Sequence, residues 1–550
     1  MQAVLALTVR PPRWECPVPF SGENSPLTPS RRTVLASGAA LGAAAAVGTA
    51  LPLTASAAQG AGNPSTGEVF TLGVASGDPD PYSVVLWTRL APNPLAEDGL
   101  GGMRGTVEVE WEIARDERFS RIVRRGRERT DADAGYAVHA EVAGLAPGTE
   151  YFYRFRTGRH LSPAGRTRTA PAFGVVGSGL AMSFASCSQY EHGYFTAYHH
   201  LAADEPDLVL HLGDYIYEYK ADSYVSPTGN VRDHSGPETE TLANYRQRHA
   251  QYRTDADLQA AHAVAPWLVV PDDHEVDNNW AGDVYEKPEI PQPNFIERRA
   301  NAFRALYENM PLRRRSKPSG SHMRLYRTVR WGALANFHML DTRQYRDDQA
   351  CDDGWKVCAD AADPARTLTG DEQEAWLIEQ FRRSRARWDV LGQQVFFARR
   401  VNASGATSMD SWDGYRGSQE RITEGWLDAG VRNPVVLTGD VHTHWANELK
   451  ANYADPDSEV VGTELVTTSI TSGGNGADSD PNDDNNLKLN PHIKFRNNQR
   501  GYVRTKITRD EFRADFRVLD KVTEPGHPAR TRASFVIADR NPGLTEVTPR

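Results

Sequence analysis

Cysteine is scarce, with four in 550 residues, so no disulfide scaffold holds this chain together. Beyond its leader the sequence also lacks any apolar run of the roughly 18–20 residues that a membrane span needs. A surplus of basic charge is missing too, because 62 Lys and Arg face 72 Asp and Glu, for a net charge of −10. That balance excludes a protein that grips nucleic acid through phosphate electrostatics. No stable nucleic-acid partner is expected, and an anionic substrate must be held by local arginines or by metal. No G-x-S-x-G elbow stands where a strand meets a helix, which argues against a serine hydrolase. What is present is an ordinary soluble-globular composition on a chain too long for one hydrophobic core.

The leader carries an address. Ser30-Arg31-Arg32-Thr33-Val34-Leu35 precedes an Ala-rich apolar stretch, and Ala55-Ser56-Ala57 offers the small residues that a signal peptidase accepts. Residues 1–57 therefore read as a twin-arginine signal peptide. Its partner during export is the twin-arginine translocase, and the mature protein is expected to be secreted or associated with the cell envelope. In that oxidising exterior, Cys351 and Cys358 bracket the loop-like CDDGWKVC and are expected to form a local disulfide. Cys187 is then left alone, as buried filler, reactive thiol or metal ligand.

Residues 68–170 show short runs that alternate apolar and polar side chains, such as VEVEWEIA and TEYFYRFRTG, separated by turn signals. Leu145-Ala146-Pro147-Gly148-Thr149-Glu150-Tyr151 resembles the strand-turn signature of fibronectin type III domains, in which the tyrosine hydroxyl finds a backbone partner. This region is expected to be a fibronectin/Ig-like β-sandwich without catalytic groups. From 181 to 540 the character changes. Apolar β-type runs (MSFAS, DLVLHLGD, WLVVPDDHE, PVVLTGDVHTHWA) end in polar residues, with helical stretches at 191–203 and 244–264 between them. Buried strands with functional residues at their carboxyl ends are how layered α/β folds build active sites.

Four strand ends carry the chemistry. Cys187 ends the first. Gly213-Asp214-Tyr215-Ile216-Tyr217-Glu218 ends the second. Asp272-Asp273-His274-Glu275 ends the third, with Asn278 close behind, and Gly439-Asp440-Val441-His442-Thr443-His444 ends the last. Acids, imidazoles and a thiolate converging on one edge repel one another unless cations neutralise them. The arrangement predicts two or more metal ions.

At these residues the chain resembles calcineurin-like metallophosphoesterases, with altered motifs. Cys187 replaces the opening D-x-H, Tyr217 takes the place of the second aspartate of G-D-x-x-D, and Asp273 replaces the asparagine of G-N-H-E. That pattern resembles PhoD-type alkaline phosphatases from about Phe70 to Leu519. The resemblance implies a β-sandwich followed by a four-layer αββα catalytic domain. It also implies hydrolysis of phosphomonoesters by a metal-held hydroxide or oxo group at a centre of Fe³⁺ and Ca²⁺. By carry-over, Cys187, Asp214, Tyr217 and His442 bind iron. Asp214 bridges to calcium, which Asp273 and Asp440 complete, with Asn278 and His444 as neighbours. His274 and Asp214 are the expected catalytic pair, with His274 supporting the transition state, and Arg343 and Arg346 are supporting charges. Substrates would be small phosphate esters or phospholipids. Within the family, the alternative is a phosphodiesterase or phospholipase D. An exported binding protein without activity is the reading from another class, and the presence of every metal-type position argues against it.

Overall fold

The computed structural model describes residues 68–549, apart from 288, 456 and 480–482. The leader, and the export reading with it, lies outside the described residues. Eight strands open the described chain: β1 (Val74–Asp80), β2 (Ser83–Arg89), β3 (Val107–Ala114), β4 (Ile122–Thr130), β5 (Ala137–Ala143), β6 (Glu150–Thr157), β7 (His160–Leu161) and β8 (Gly165–Arg168). Strands β3, β4, β6, β7 and β8 form one sheet, while β2 pairs antiparallel with both β1 and β5. The two layers close over Val84, Leu86, Ile113, Tyr153 and Phe155. The Tyr151 hydroxyl accepts the Ala146 N–H at 2.8 Å, tying the turn to its strand.

Next come β9 (Leu180–Ala185), α1 (Thr196–Ala203), β10 (Leu208–Leu212), α2 (Leu242–Arg253), α3 (Ala256–Val264), β11 (Pro266–Val270) and α4 (Phe295–Asn309). The helical stretch read at 244–264 is two helices, because the Asp255 side chain accepts the N–H groups of Asp257 and Leu258 and starts α3 afresh. The chain continues through β12 (Arg327–Trp331), β13 (Ala335–Met339), β14 (Trp355–Lys356), α5 (Asp371–Arg383), β15 (Trp388–Gly392), β16 (Thr407–Ser408), α6 (Arg416–Asp428), β17 (Pro434–Thr438), β18 (His444–Lys450) and β19 (Val460–Val466). After α7 (Asp483–Leu489) it ends in β20 (Ile493–Asn497), β21 (Arg500–Ile507), β22 (Glu511–Leu519), β23 (Ala529–Ala538) and β24 (Asn541–Val547).

Parallel β9, β10 and β11 occupy the middle of a ten-stranded sheet, ordered β24-β23-β22-β21-β9-β10-β11-β1-β2-β5. A seven-stranded sheet runs β12-β13-β15-β17-β19-β18-β20, with β13, β15, β17 and β19 parallel. The central strands LVLHL, PWLVV and PVVLT are buried along their whole length, which is why they read as near-continuous apolar runs. The N-terminal strands divide between two sheets. β1 pairs parallel with β11 at Ser76–Pro266 and Gly77–Trp267, so β1, β2 and β5 extend the large sheet.

The two large sheets pack face to face. Leu210, Leu268, Val503 and Phe516 of one meet Phe337, Val390, Val435 and Leu465 of the other. On the outer face of the ten-stranded sheet, Val209, Trp267 and Val269 sit under Tyr198, Leu258 and Phe303 from the helices. On the opposite outer face, Leu391, Val436 and Val466 meet Leu377 and Phe381 of α5 and Ile422 and Trp426 of α6. Each such buried side chain contributes about 1.5–3 kcal/mol. This double layer fixes which strand ends face each other.

Candidate metal centre

The strands that carry functional residues all present their carboxyl ends to one edge. Two glycines let those ends touch. A Cβ on Gly213, whose φ is 103°, would lie 2.4 Å from the Asp272 Cβ, and one on Gly439 would lie 2.8 Å from the Ser186 Cβ. A parallel bridge between Ser186 and Ser469 completes the junction between the sheets. Each strand then turns sharply. Cys187, Asp214, Asp440 and His442 all have positive φ, between 50° and 62°. Left-handed backbone at non-glycine residues costs about 1–3 kcal/mol each and persists where the surroundings enforce it, typically at functional sites.

Cys187 Sγ, an Asp214 carboxylate oxygen and a His442 ring nitrogen lie within 4.8 Å of one another. The Tyr217 hydroxyl sits among them, donating to Asp214 Oδ2 at 2.9 Å and lying 3.2 Å from His442 Nε2. A second group, Asp214, Asp273 and His274, and a third, Asp272, Asp273 and Asp440, meet the same limit. Asp214 and Asp273 thus join the three groups into one cluster.

Without a cation these groups are driven to their neutral forms. Burial, then the charge of Asp214, pushes the Cys187 thiol well up. Burial raises Asp214 and Asp440 far above the usual carboxylate range, against the nearby cations His274 and Arg343 respectively. Burial and the charges of Asp214 and Cys187 also raise Tyr217, while burial pushes His442 down to about 3. Three buried carboxylate oxygens, Asp214 Oδ1, Asp272 Oδ2 and Asp273 Oδ1, have no hydrogen-bond partner among the described residues. Buried, unsatisfied anionic donors of this kind are what a bound cation satisfies, so the donor set fits metal ions.

His274 stands beside the cluster. Its ring stacks on Tyr217 with centroids 4.1 Å apart, and its Nδ1 donates to Glu218 Oε2 at 2.8 Å. Burial works against the charged ring, but Glu218, Asp273 and Asp214 outweigh it and hold the imidazolium well above its usual range. Asn278 does not reach the cluster with its side chain, which donates to Glu286 Oε1. Its neighbour Asn279 does more, because its N–H donates to Asp273 Oδ2 at 2.7 Å and its Nδ2 to Asp353 Oδ2. His444 is likewise turned away from the cluster where the sequence places it. Its Nδ1 accepts the Thr468 N–H, which leaves its Nε2 to donate to the Arg517 carbonyl. The cause is local: His442 lies in the left-handed turn, whereas His444 is already the first residue of β18.

Arg343 is fully buried at the centre of the acids. It donates to Asp272 Oδ1 at 2.6 Å and to both Asp410 oxygens, and lies 3.5 Å from Asp273 Oδ1 and 3.7 Å from Asp440 Oδ1. Among the described residues, Arg346 serves Asp410 alone of the acids, through that residue's side chain and carbonyl. Asp410 and Arg500 escaped the sequence reading, which named Glu275 at its strand end without giving it a role. Glu275 accepts the N–H groups of Asp214, Tyr215 and Asp272, locking two strand-end turns together. Arg500 donates to the carbonyls of His442 and Gly474 and to Ser469 Oγ at 3.0 Å. The Cys351–Cys358 disulfide is formed, and its loop supplies the Asp353 that holds Asn279.

Comparison with known proteins gives the family. The profile of the PhoD-like phosphatases matches residues 180–516, and that of their N-terminal domain matches residues 55–171. Alkaline phosphatase D of Bacillus subtilis (strain 168) is 53% identical over 483 residues, covering 87% of this chain and 82% of that protein. A solved structure described as that of PhoD superposes with a TM-score of 0.86 at 52% identity, covering 88% of this chain and 93% of that one.

Proposed function

The chain belongs to the PhoD-like phosphatase family and is a phosphatase; on that premise we propose that it is an exported alkaline phosphatase acting on phosphomonoesters. The observation that carries the reading is the set of buried, unpartnered acids around Asp214 and Asp273, joined to a thiol, a phenol and an imidazole. Cys187, Asp214, Tyr217 and His442 would hold Fe³⁺, because thiolate and phenolate are strong donors for a trivalent ion. Asp214, Asp272, Asp273 and Asp440 supply the hard oxygens that suit Ca²⁺. When bound, the ions supply positive charge for the phosphoryl oxygens and Lewis-acid activation of water.

The chain's own residues do the rest. Arg343 fixes Asp272, Asp410 and, at longer range, Asp273 and Asp440, so the acids keep one geometry. Asn279 aims Asp273. Glu218 accepts the Nδ1–H of His274 in a hydrogen bond, leaving Nε2–H to face the cluster. From there Nε2 hands a proton to the departing ester oxygen as the P–O bond breaks. The sheet-on-sheet core with helices on both outer faces supports assigning the four-layer αββα class, and the Tyr151 turn supports an Ig-like ancestry for the N-terminal strands. Export rests on the Arg31-Arg32 leader.

The test uses the purified exported protein. Metal analysis should find iron and calcium, and p-nitrophenyl phosphate should be cleaved faster than bis-p-nitrophenyl phosphate. Metal-free protein with full activity would refute the metal centre, and a preference for the diester would refute the monoester reading. Arg31→Lys with Arg32→Lys should leave uncleaved precursor in the cytoplasm; normal secretion of that variant would refute twin-arginine export.

A further inference from the structure

Beside the cluster stands a cation that no acid answers. The backbone N–H of Arg400 donates to Asp413 Oδ2 at 2.9 Å, yet its guanidinium makes no hydrogen bond or ion pair among the described residues. Asp413 Oδ1 lies 3.7 Å from Arg399 Nε and makes no ion pair with Arg400. Three aromatic rings surround Arg400 instead. Its Cζ lies 4.4 Å from the centroid of Phe396, 4.9 Å from Trp355 and 5.2 Å from Trp445. Cation–π contacts of this kind hold a guanidinium by its charge and spend none of its N–H groups on an acceptor.

The cage is built from segments that border the metal-type cluster. Trp445 directly follows His444 and lies three residues past His442. Trp355 lies in β14, paired with Ser408 two residues before Asp410, the partner of Arg343. It also lies between Cys351 and Cys358, two residues after the Asp353 that holds Asn279. The disulfide-stapled loop thus forms the outer wall, with Trp355 44% exposed. Burial pushes the Arg400 guanidinium down to about 10, opposed by the charges of Asp413, Asp440 and Glu464. It is therefore still a cation at neutral and mildly alkaline pH, within the field of Asp440.

We propose that Arg400, caged by Phe396, Trp355 and Trp445, is a leaving-group subsite that binds a second phosphate of the substrate, so that bisphosphorylated esters are preferred over monophosphates. The subsite rests on the phosphomonoesterase reading above. The phosphoryl group that reacts is held at the cluster, which leaves Arg400 for a further anion on the same molecule. A guanidinium fork matches two oxygens of a phosphate at once, and the aromatic walls shield the contact from part of the surrounding water.

The experiment compares alkanediol bisphosphates with the corresponding monophosphates, using linear spacers of three to six carbons. For wild-type enzyme, kcat/KM for the bisphosphate should exceed that for the monophosphate by about tenfold at the best spacer length, chiefly through KM. Arg400→Met should collapse that ratio towards one, Arg400→Lys should restore part of it, and Trp355→Ala, on the exposed wall, should lower it with unchanged melting temperature. A structural role for Arg400 would lower both substrates together and leave the ratio intact, which would overturn the subsite. Wild-type enzyme that does not distinguish the two series would overturn it as well. Failure to cleave any monophosphate would overturn the monoester reading, and the subsite with it.

Discussion

Glu218 and His274 form a buried pair in which one carboxylate is divided between two tasks. Oε2 accepts Nδ1–H of His274 at 2.8 Å, while Oε1 accepts the N–H of Asn278 at 2.9 Å. The carboxylate therefore fixes the tautomer and tilt of the ring and also shapes the loop that follows it. Its charge helps keep the imidazolium protonated despite burial.

Glu218→Gln should therefore lower kcat by about tenfold or more while changing KM little, and His274→Gln should cost about a hundredfold. The pH profile separates positioning from folding. A protonated His274 is lost as pH rises through its pKa, and Glu218 holds that pKa up. Glu218→Gln should move the alkaline limb of kcat to lower pH. An unmoved limb in a folded, metal-loaded variant would show that Glu218 does not tune the ring.

The thiolate and the phenolate are expected to give the loaded protein a visible charge-transfer band. Cys187→Ser should bleach it, reduce bound iron and lower activity by at least tenfold, as read by absorbance and metal analysis. Chelation with EGTA should remove activity, and calcium should restore it. A coloured, fully active serine variant would remove Cys187 from the ligand set.

How much of this was legible beforehand depended on sequence distance. Cys187, Asp214, Tyr217, Asp273 and His442 sit within a few residues of strand ends, so local patterning exposed them. Asp410 could not be found that way. It reaches Arg343 across 67 positions from a stretch without a motif, and only the packing of the two sheets brings them together. Arg500 is likewise separated from His442 by 58 positions. His444 shows the opposite failure, because a motif with two histidines does not tell which one lies in the turn and which in the strand. Of the N-terminal strands, β2, β3, β5 and β6 were legible through their alternation, but β1 and β4 were not, and alternation says nothing about the partner of an edge: β1 pairs with β11.

Asp78 and Arg327 tie β1 to β12 through a buried ion pair, with Arg327 Nε and one Nη donating to Asp78 Oδ1 at 2.9 and 2.8 Å. Both side chains are almost fully covered, at 1% and 5% exposure. Removing one partner strands the other charge, so Asp78→Ala should destabilise by about 3–5 kcal/mol. Asp78→Leu with Arg327→Met should cost less than Asp78→Ala alone, because neither charge is left behind. Urea unfolding of the three proteins checks this, and a double variant weaker than the single one would contradict it.

Acid should weaken the fold through histidines that take no part in the site. His211 and His249 are fully buried, and burial pushes both down to about 3 from an ordinary value of 6.5. His211 Nε2 meets the Tyr198 hydroxyl at 2.9 Å, while neither nitrogen of His249 has a hydrogen-bond partner among the described residues. In the folded protein both rings stay neutral, whereas the unfolded chain protonates them below pH 6.5. Between 6.5 and about 3 the unfolded state binds more protons, so stability falls as pH drops through that window. Each ring contributes a slope of about 1.4 kcal/mol per pH unit once its unfolded form is fully protonated. His211→Gln keeps a side chain able to meet Tyr198 but cannot take up the proton. Urea unfolding at pH 7, 6 and 5 should show a shallower acid decline for the variant than for the wild type. Acid loss of metal affects both proteins alike and cancels in that comparison. Parallel declines would mean that His211 is protonated in the fold, and the neutral reading of that buried ring would fail.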